Sequence, residues 1–151
     1  MAADDLYDRD FYLWTKAQAD ALRARGRGSN QIDYDVLADE VEDMGRAERN
    51  KAASLTTRII QHLFYLAWSH QTLPRGGWRA EVRVFRDDLE RTLTPTIRAK
   101  IESDLEDLHQ RALRAAEDGF ASYEPEAPRD VTLRWSFAQI LGETDDPLGQ
   151  A

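Results

Sequence analysis

Residues 32–66, IDYDVLADEVEDMGRAERNKAASLTTRIIQHLFYL, constrain the fold of this chain more than any other stretch. At helical spacing, Leu37, Val41, Met44, Ala52, Leu55, Ile59, Leu63 and Leu66 fall along one line, which predicts a helix with a core-facing stripe. Ionisable groups stand on or beside that line, chiefly Glu40, Arg46, Glu48, Arg58 and His62. A helix that mixes a stripe with so many charges is either a salt-bridged scaffold or part of a site. Gly45 lies inside it, where glycine costs about 1 kcal/mol relative to alanine. The apolar line crosses Gly45 only if Glu48 faces the core, so the pattern predicts a break or sharp bend there.

The flanking segments carry helix signals of their own. Asp4 and Asp5 open a segment with Tyr7, Phe11, Trp14, Gln18, Ala21 and Leu22 on one side. Arg23, Arg25 and Arg27 suit the negative end of that helix, and Gly26 and Gly28 suit its stop. Phe11 and Trp14 fit its buried face, whereas Tyr12 lies off it, so the helix either contacts a second chain as well or is wrapped deeply into the bundle. Asp33 is an N-cap for the central helix. The run SHQTLPRGG reads as a loop, followed near Gly77 by a helix burying Trp78, Val82, Phe85 and Leu89. Thr94 caps and Pro95 opens the next helix, with Ile97, Ile101, Leu105, Leu108, Ala112 and Ala115 inward and Gly119 as its stop. Ser136 with Gln139 forms a capping box for a short last helix ended by Gly142. No period-two alternation marks a strand. The expectation is an all-α bundle of about six helices, one domain over residues 1–143, with a frayed acidic tail over 144–151.

Composition narrows the functional classes. The chain has 151 residues, no cysteine and a formal charge of −8. Absence of cysteine removes disulfides and thiolate ligands and fits a reducing cytoplasm. The N-terminus lacks a basic region followed by an apolar core, so no secretory signal is expected. The longest apolar run, residues 63–68, is far shorter than the roughly 18–20 residues of a membrane span. An acidic protein is repelled by nucleic acid and by anionic lipid, so neither is an expected partner.

Three constellations could carry chemistry. Arg75, Arg79, Arg83 and Arg86 share a helix face, readable as an anion surface or as a structural seam. The seam is the favoured reading, with the acidic face of Asp39, Glu40, Glu42 and Asp43 as its partner. Glu106 and His109 form one Glu-x-x-His element, whereas a di-iron bundle needs two. A divalent site from Glu40 or Glu48 with His62 is conceivable, although a lone histidine beside an apolar stripe is more often a hydrogen-bonded core residue. No Gly-x-Ser-x-Gly turn and no phosphate-cradling loop is present.

The segments LYDRDFYLWTKAQADALR and EVEDMGRAER carry a resemblance, as do Ser54-Leu55, Arg58, His62-Leu63, Pro74, Trp78-Arg79 and Val82-Arg83. Arg86, Thr94-Pro95-Thr96, Trp135-Ser136 and Gln139-Ile140-Leu141 extend it over nearly the whole chain. With these motifs the chain resembles the bacterial domain-of-unknown-function family number 29. Phe64 and Tyr65 depart from the Leu and Lys common there. The resemblance implies an α-helical domain and no established activity, so no catalytic residue is inherited.

Two functions remain from the sequence. The favoured one is a non-enzymatic module for protein–protein interaction or structure, associating with itself or another chain, with no cofactor and no bound metal. The alternative is a small metal-dependent or acid–base enzyme around Glu40, Glu48, Arg58 and His62, with Arg58 or Arg83 holding an anionic substrate. These five residues are the candidate polar cluster.

Overall fold

The computed structural model describes residues 3–26 and 32–149. Among them are seven helices and no strand: α1 (Ala3–Arg9), α2 (Phe11–Arg25), α3 (Tyr34–Trp68), α4 (Thr72–Thr92), α5 (Pro95–Ser103), α6 (Leu105–Phe120) and α7 (Phe137–Leu141). The all-α expectation is met. No helix among the described residues is long and apolar enough to cross a membrane. Contacts gather into two compact units, Met1–Ala52 with Thr92–Lys100 and Ala53–Arg91 with Ile101–Ala151.

In the first unit, the expected single N-terminal helix is two. Asp10 ends α1 and caps α2, accepting the Leu13 N–H at 2.9 Å. Its other oxygen accepts the Thr96 N–H at 2.8 Å, so the cap also ties α2 to the start of α5. The buried face of α2 is Tyr12, Thr15 and Ala19, whereas Phe11 and Trp14 stack on each other and meet Tyr7 edge-on at the α1–α2 junction. Tyr12, expected off the buried face, is 5% exposed. Gly26 caps α2 through its N–H to Leu22 O; Arg27 and Gly28 lie outside the described residues.

The break at Gly45 is absent: α3 runs through it. A side chain at Gly45 would collide with Thr15 Oγ1 and crowd the Tyr12 ring. The glycine is there for close approach of α2, and the helix bears its cost. The face of α3 turned to α2 is accordingly made of small residues, with Ala38, Gly45 and Ala52 buried. This rotation leaves Leu37 44% and Met44 51% exposed, contrary to their expected core role. Asp33 caps α3 as expected, accepting the Val36 N–H at 3.1 Å.

In the second unit, Leu55, Ile59, Leu63 and Leu66 of α3 are buried as the stripe requires. Phe64, Trp68 and Phe120 form an aromatic centre, with Trp68–Phe120 centroids 5.4 Å apart. The loop expected after α3 is short, because α4 starts at Thr72; Pro74 falls in its first turn, where a missing N–H costs little. Arg75 covers the end of α3, donating to Leu66 O at 2.6 Å and Ser69 O at 3.0 Å. Trp78, Val82 and Leu89 are buried. The expected fifth helix divides at Asp104 into α5 and α6. Gly119 does not stop α6; it lies one residue inside it, where a Cβ would strike the Tyr65 hydroxyl. Thr94 caps α5, accepting the Ile97 N–H at 3.2 Å. The Ser136–Gln139 capping box and the left-handed Gly142 close α7 as anticipated.

The acidic segment after Gly142, expected to fray, is held in place through residue 148. Asp146 receives both terminal nitrogens of Arg86, and Leu148 is 5% exposed with its carbonyl accepting from Arg79 Nε at 3.3 Å.

Candidate functional site

The candidate residues divide between the units. Glu40, exposed, and Glu48, half-buried, belong to the first unit; Arg58, His62 and Arg83 belong to the second. Within the second, His62 lies one turn beyond Arg58 on α3 and meets Phe85 and Glu81 of α4. Its Nδ1 is 2.8 Å from the Arg58 carbonyl and its Nε2 is 2.5 Å from Glu81 Oε2. A carbonyl can only accept, so Nδ1 carries hydrogen and Nε2 faces the carboxylate. The Arg58 guanidinium stands over the Phe85 ring, 5.8 Å from its centroid, and the His62 ring meets the same ring at 5.4 Å. The imidazole and the carboxylate thus meet at hydrogen-bond distance beside the Phe85 ring. Glu81 is the member that sequence reasoning passed over, since nothing in the spacing of α4 distinguishes it from the other acids there.

The expected arginine seam resolves into separate anchors. Arg86 gives Nε to Ile140 O at 2.8 Å and Nη2 to Gln139 O at 3.1 Å, besides its grip on Asp146. Those bonds from Arg86 hold the Asp146 carboxyl below its ordinary range. Arg75 and Arg79 also spend their donors on backbone carbonyls. The acids of α3 take other partners: Glu42 binds Arg23 at 2.9 Å and Lys16 at 3.0 Å, Asp39 binds Arg23, and Asp43 binds Arg46. Arg23 and then Lys16 draw Glu42 down to about 2. The seam reading erred because helix-face charge shows sign and not distance; carbonyls at helix ends were the nearer acceptors.

A cleft of about 310 Å³ is lined by Arg83, Arg86, Asp87, Glu90, Leu141 and Glu143. Arg86 is already committed, which leaves Arg83 among carboxylates. The mixture matches neither an anion nor a bare cation.

Glu106 and His109 are kept apart chemically. Glu106 pairs with Arg134 at 3.0 Å, and Arg134 followed by Gln110 draws it down to about 2. His109 is 1% exposed, with Nδ1 donating to Leu105 O at 2.9 Å and Nε2 accepting the Trp135 N–H at 3.1 Å. Burial holds its pKa below the ordinary value. Among the described residues no three histidine or acidic side chains gather as metal ligands would.

One surface remains. Val36, Leu37 and Met44 on the first part of α3 are 53%, 44% and 51% exposed. Leu37 and Met44 lie seven residues apart, on one face of the helix.

The molecule is thus an all-helical protein whose polar side chains mostly hold backbone and whose first unit presents an open apolar helix face. The chain belongs to the family Domain of unknown function DUF29, which it matches over residues 6–144. It is also similar to an alpha-helical protein of unknown function from Rhodospirillum rubrum, known from a crystal structure. The two share 28% identity and a TM-score of 0.81, over 93% of this chain and 92% of that one. No curated protein matches the chain significantly.

Proposed function

We propose that this chain is a non-enzymatic helical module that binds a protein partner. The observation that carries the reading is the exposure of Val36, Leu37 and Met44 along the first part of α3. Apolar side chains held in water on one helix cost free energy unless something covers them. The commitment of Arg75, Arg79 and Arg86 to backbone carbonyls also supports it, since these groups are spent on structure. Affinity capture with the full chain and with Met44→Glu tests the reading. A specific partner held by the natural chain and lost by the variant is expected; equal capture by both would count against it.

A second reading, a metal-dependent or acid–base site, has the short His62–Glu81 contact behind it. The metal version predicts a bound divalent ion by elemental analysis and a higher Tm when such ions are added. A metal-free protein with unchanged melting would remove it.

A further inference from the structure

The exposed face of α3 has a pattern that specifies its own partner. Asp33, Leu37, Glu40, Met44, Ala47 and Lys51 are spaced four, three, four, three and four residues apart. That is the alternating spacing of a coiled-coil seam, d-a-d-a-d-a. Leu37, Met44 and Ala47 supply the apolar part that a second helix covers in such a seam, and Asp33, Glu40 and Lys51 supply charge. Here all six positions are exposed, with the Val36 side chain beside them. Ala47 is small enough for close approach of another backbone.

We propose that this seam pairs with the same seam of a second copy of the chain, antiparallel about a two-fold axis. This rests on the protein-binding reading above and names the partner. Antiparallel coiled coils place an a position of one helix against a d position of the other. Centred level with residue 42, that rule sets Leu37 against Ala47 of the second copy, Glu40 against Met44, and Asp33 against Lys51. Two Glu40–Met44 layers lie nearest the axis, Leu37 meets Ala47 on either side of them, and the two ends bring opposite charges together, twice by symmetry. Parallel pairing in register would set Asp33 on Asp33, Glu40 on Glu40 and Lys51 on Lys51, which is repulsive at each charged layer. The face is therefore self-complementary in one orientation. Glu40 within the seam contributes orientation and little affinity, as a polar layer does. A seam of six positions forms a weak dimer, with Kd on the order of 10–100 μM.

Sedimentation equilibrium of the full chain tests the pairing. The natural chain is expected to dimerise. Lys51→Glu faces Asp33 of its partner with like charge, and Asp33→Lys faces Lys51 likewise, so each variant alone raises the dimer Kd by roughly tenfold at low salt. Mixed together, the two variants restore both charge pairs, and a heterodimer of natural affinity reappears. Because Asp33 also caps α3, circular dichroism checks the helix content of its variant. Met44→Glu, an exposed position that leaves the fold alone, removes the dimer by itself. A natural chain that stays monomeric to about 1 mM, ten times the weakest Kd expected, overturns the self-pairing. So does a dimer indifferent to Lys51→Glu and Met44→Glu. Partner capture that is lost in Met44→Glu while the natural chain is monomeric would leave the protein-binding reading standing and remove this one.

Discussion

His109 and Asp10 show how single polar residues hold this molecule together. His109 gives one ring nitrogen to the Leu105 carbonyl and takes the Trp135 N–H with the other, so it serves as a neutral bridge from α6 to the start of α7. Burial lowers its pKa from the ordinary 6.5, partly opposed by the bond to Leu105. The unfolded chain therefore takes up a proton near that pH before the folded one does, and the stability tied to His109 is full above about 6.5 and falls as pH drops below it. His109→Phe should remove that component of the pH slope. It should also cost about 1–3 kcal/mol at neutral pH, because the Trp135 N–H loses its acceptor. Urea denaturation of both proteins on either side of that pH checks each part.

Asp10 titrates in the opposite sense. Burial pushes its pKa up, but hydrogen bonds from Leu13, Thr96 and Thr94 outweigh it and leave the carboxyl below its ordinary 3.8. Its contribution is complete above that value and is lost as pH falls through the lowered one. Glu42 and Glu106, each at about 2, add to the same acid loss. Asp10→Ala should cost about 1–2 kcal/mol from the α2 cap, with a further penalty at Thr96. Equal stability of variant and natural chain in a denaturant titration would contradict this account of the cap.

At the scale of elements, α3 is shaped by what approaches it. Gly45→Ala improves helix propensity by about 1 kcal/mol, yet its methyl would press on Thr15 Oγ1, so the net effect is destabilising by about 1–2 kcal/mol. Thr15→Ala in the same chain should recover part of the loss, and thermal melting of the natural chain and the two variants measures it. Arg86 plays the corresponding part for the last helix. Its fork reaches two α7 carbonyls and both oxygens of Asp146. Arg86→Lys cannot reproduce that geometry and should cost about 2 kcal/mol. Faster hydrogen exchange confined to residues 137–148 is the expected signature; uniform exchange across the chain would contradict it.

These cases also explain what the sequence made legible. Capping signals are local, and Asp33, Thr94 with Pro95, and Ser136 with Gln139 cap where their spacing says. The cap at Asp10 was hidden because the apolar pattern runs through it from Tyr7 to Trp14. The rotation of α3 was hidden too. A line of large residues at helical spacing reads as core throughout, whereas the small face of Ala38, Gly45 and Ala52 is what packs in the first half. Gly45 read as a cost because its reason, Thr15, stands 30 positions earlier. Among the candidate site residues, the contact of His62 with Glu81 joins positions on different helices, which periodicity along one helix does not register.

For the whole molecule, the consequence of that rotation is a helix whose apolar line is buried in one half and open in the other. The second unit covers Leu55, Ile59, Leu63 and Leu66 with its own rings and aliphatics. In the first unit Leu37 and Met44 face water, framed by Asp33 and Lys51. The proposed self-pairing would cover Leu37 and Met44, the part of the α3 line that the single chain leaves open.

Cysteine cross-linking reads that geometry directly, because the natural chain has no cysteine. In the antiparallel dimer Leu37 of one copy faces Ala47 of the other, so Leu37→Cys with Ala47→Cys should oxidise to a disulfide-linked dimer. Within one chain the two positions are ten residues apart on α3, about 15 Å, beyond disulfide reach. Leu37→Cys alone should stay unlinked, since the two copies of residue 37 are separated by the same span. Linkage by the pair and not by the single variant is the result this account predicts; linkage by Leu37→Cys alone, or by neither, would contradict it.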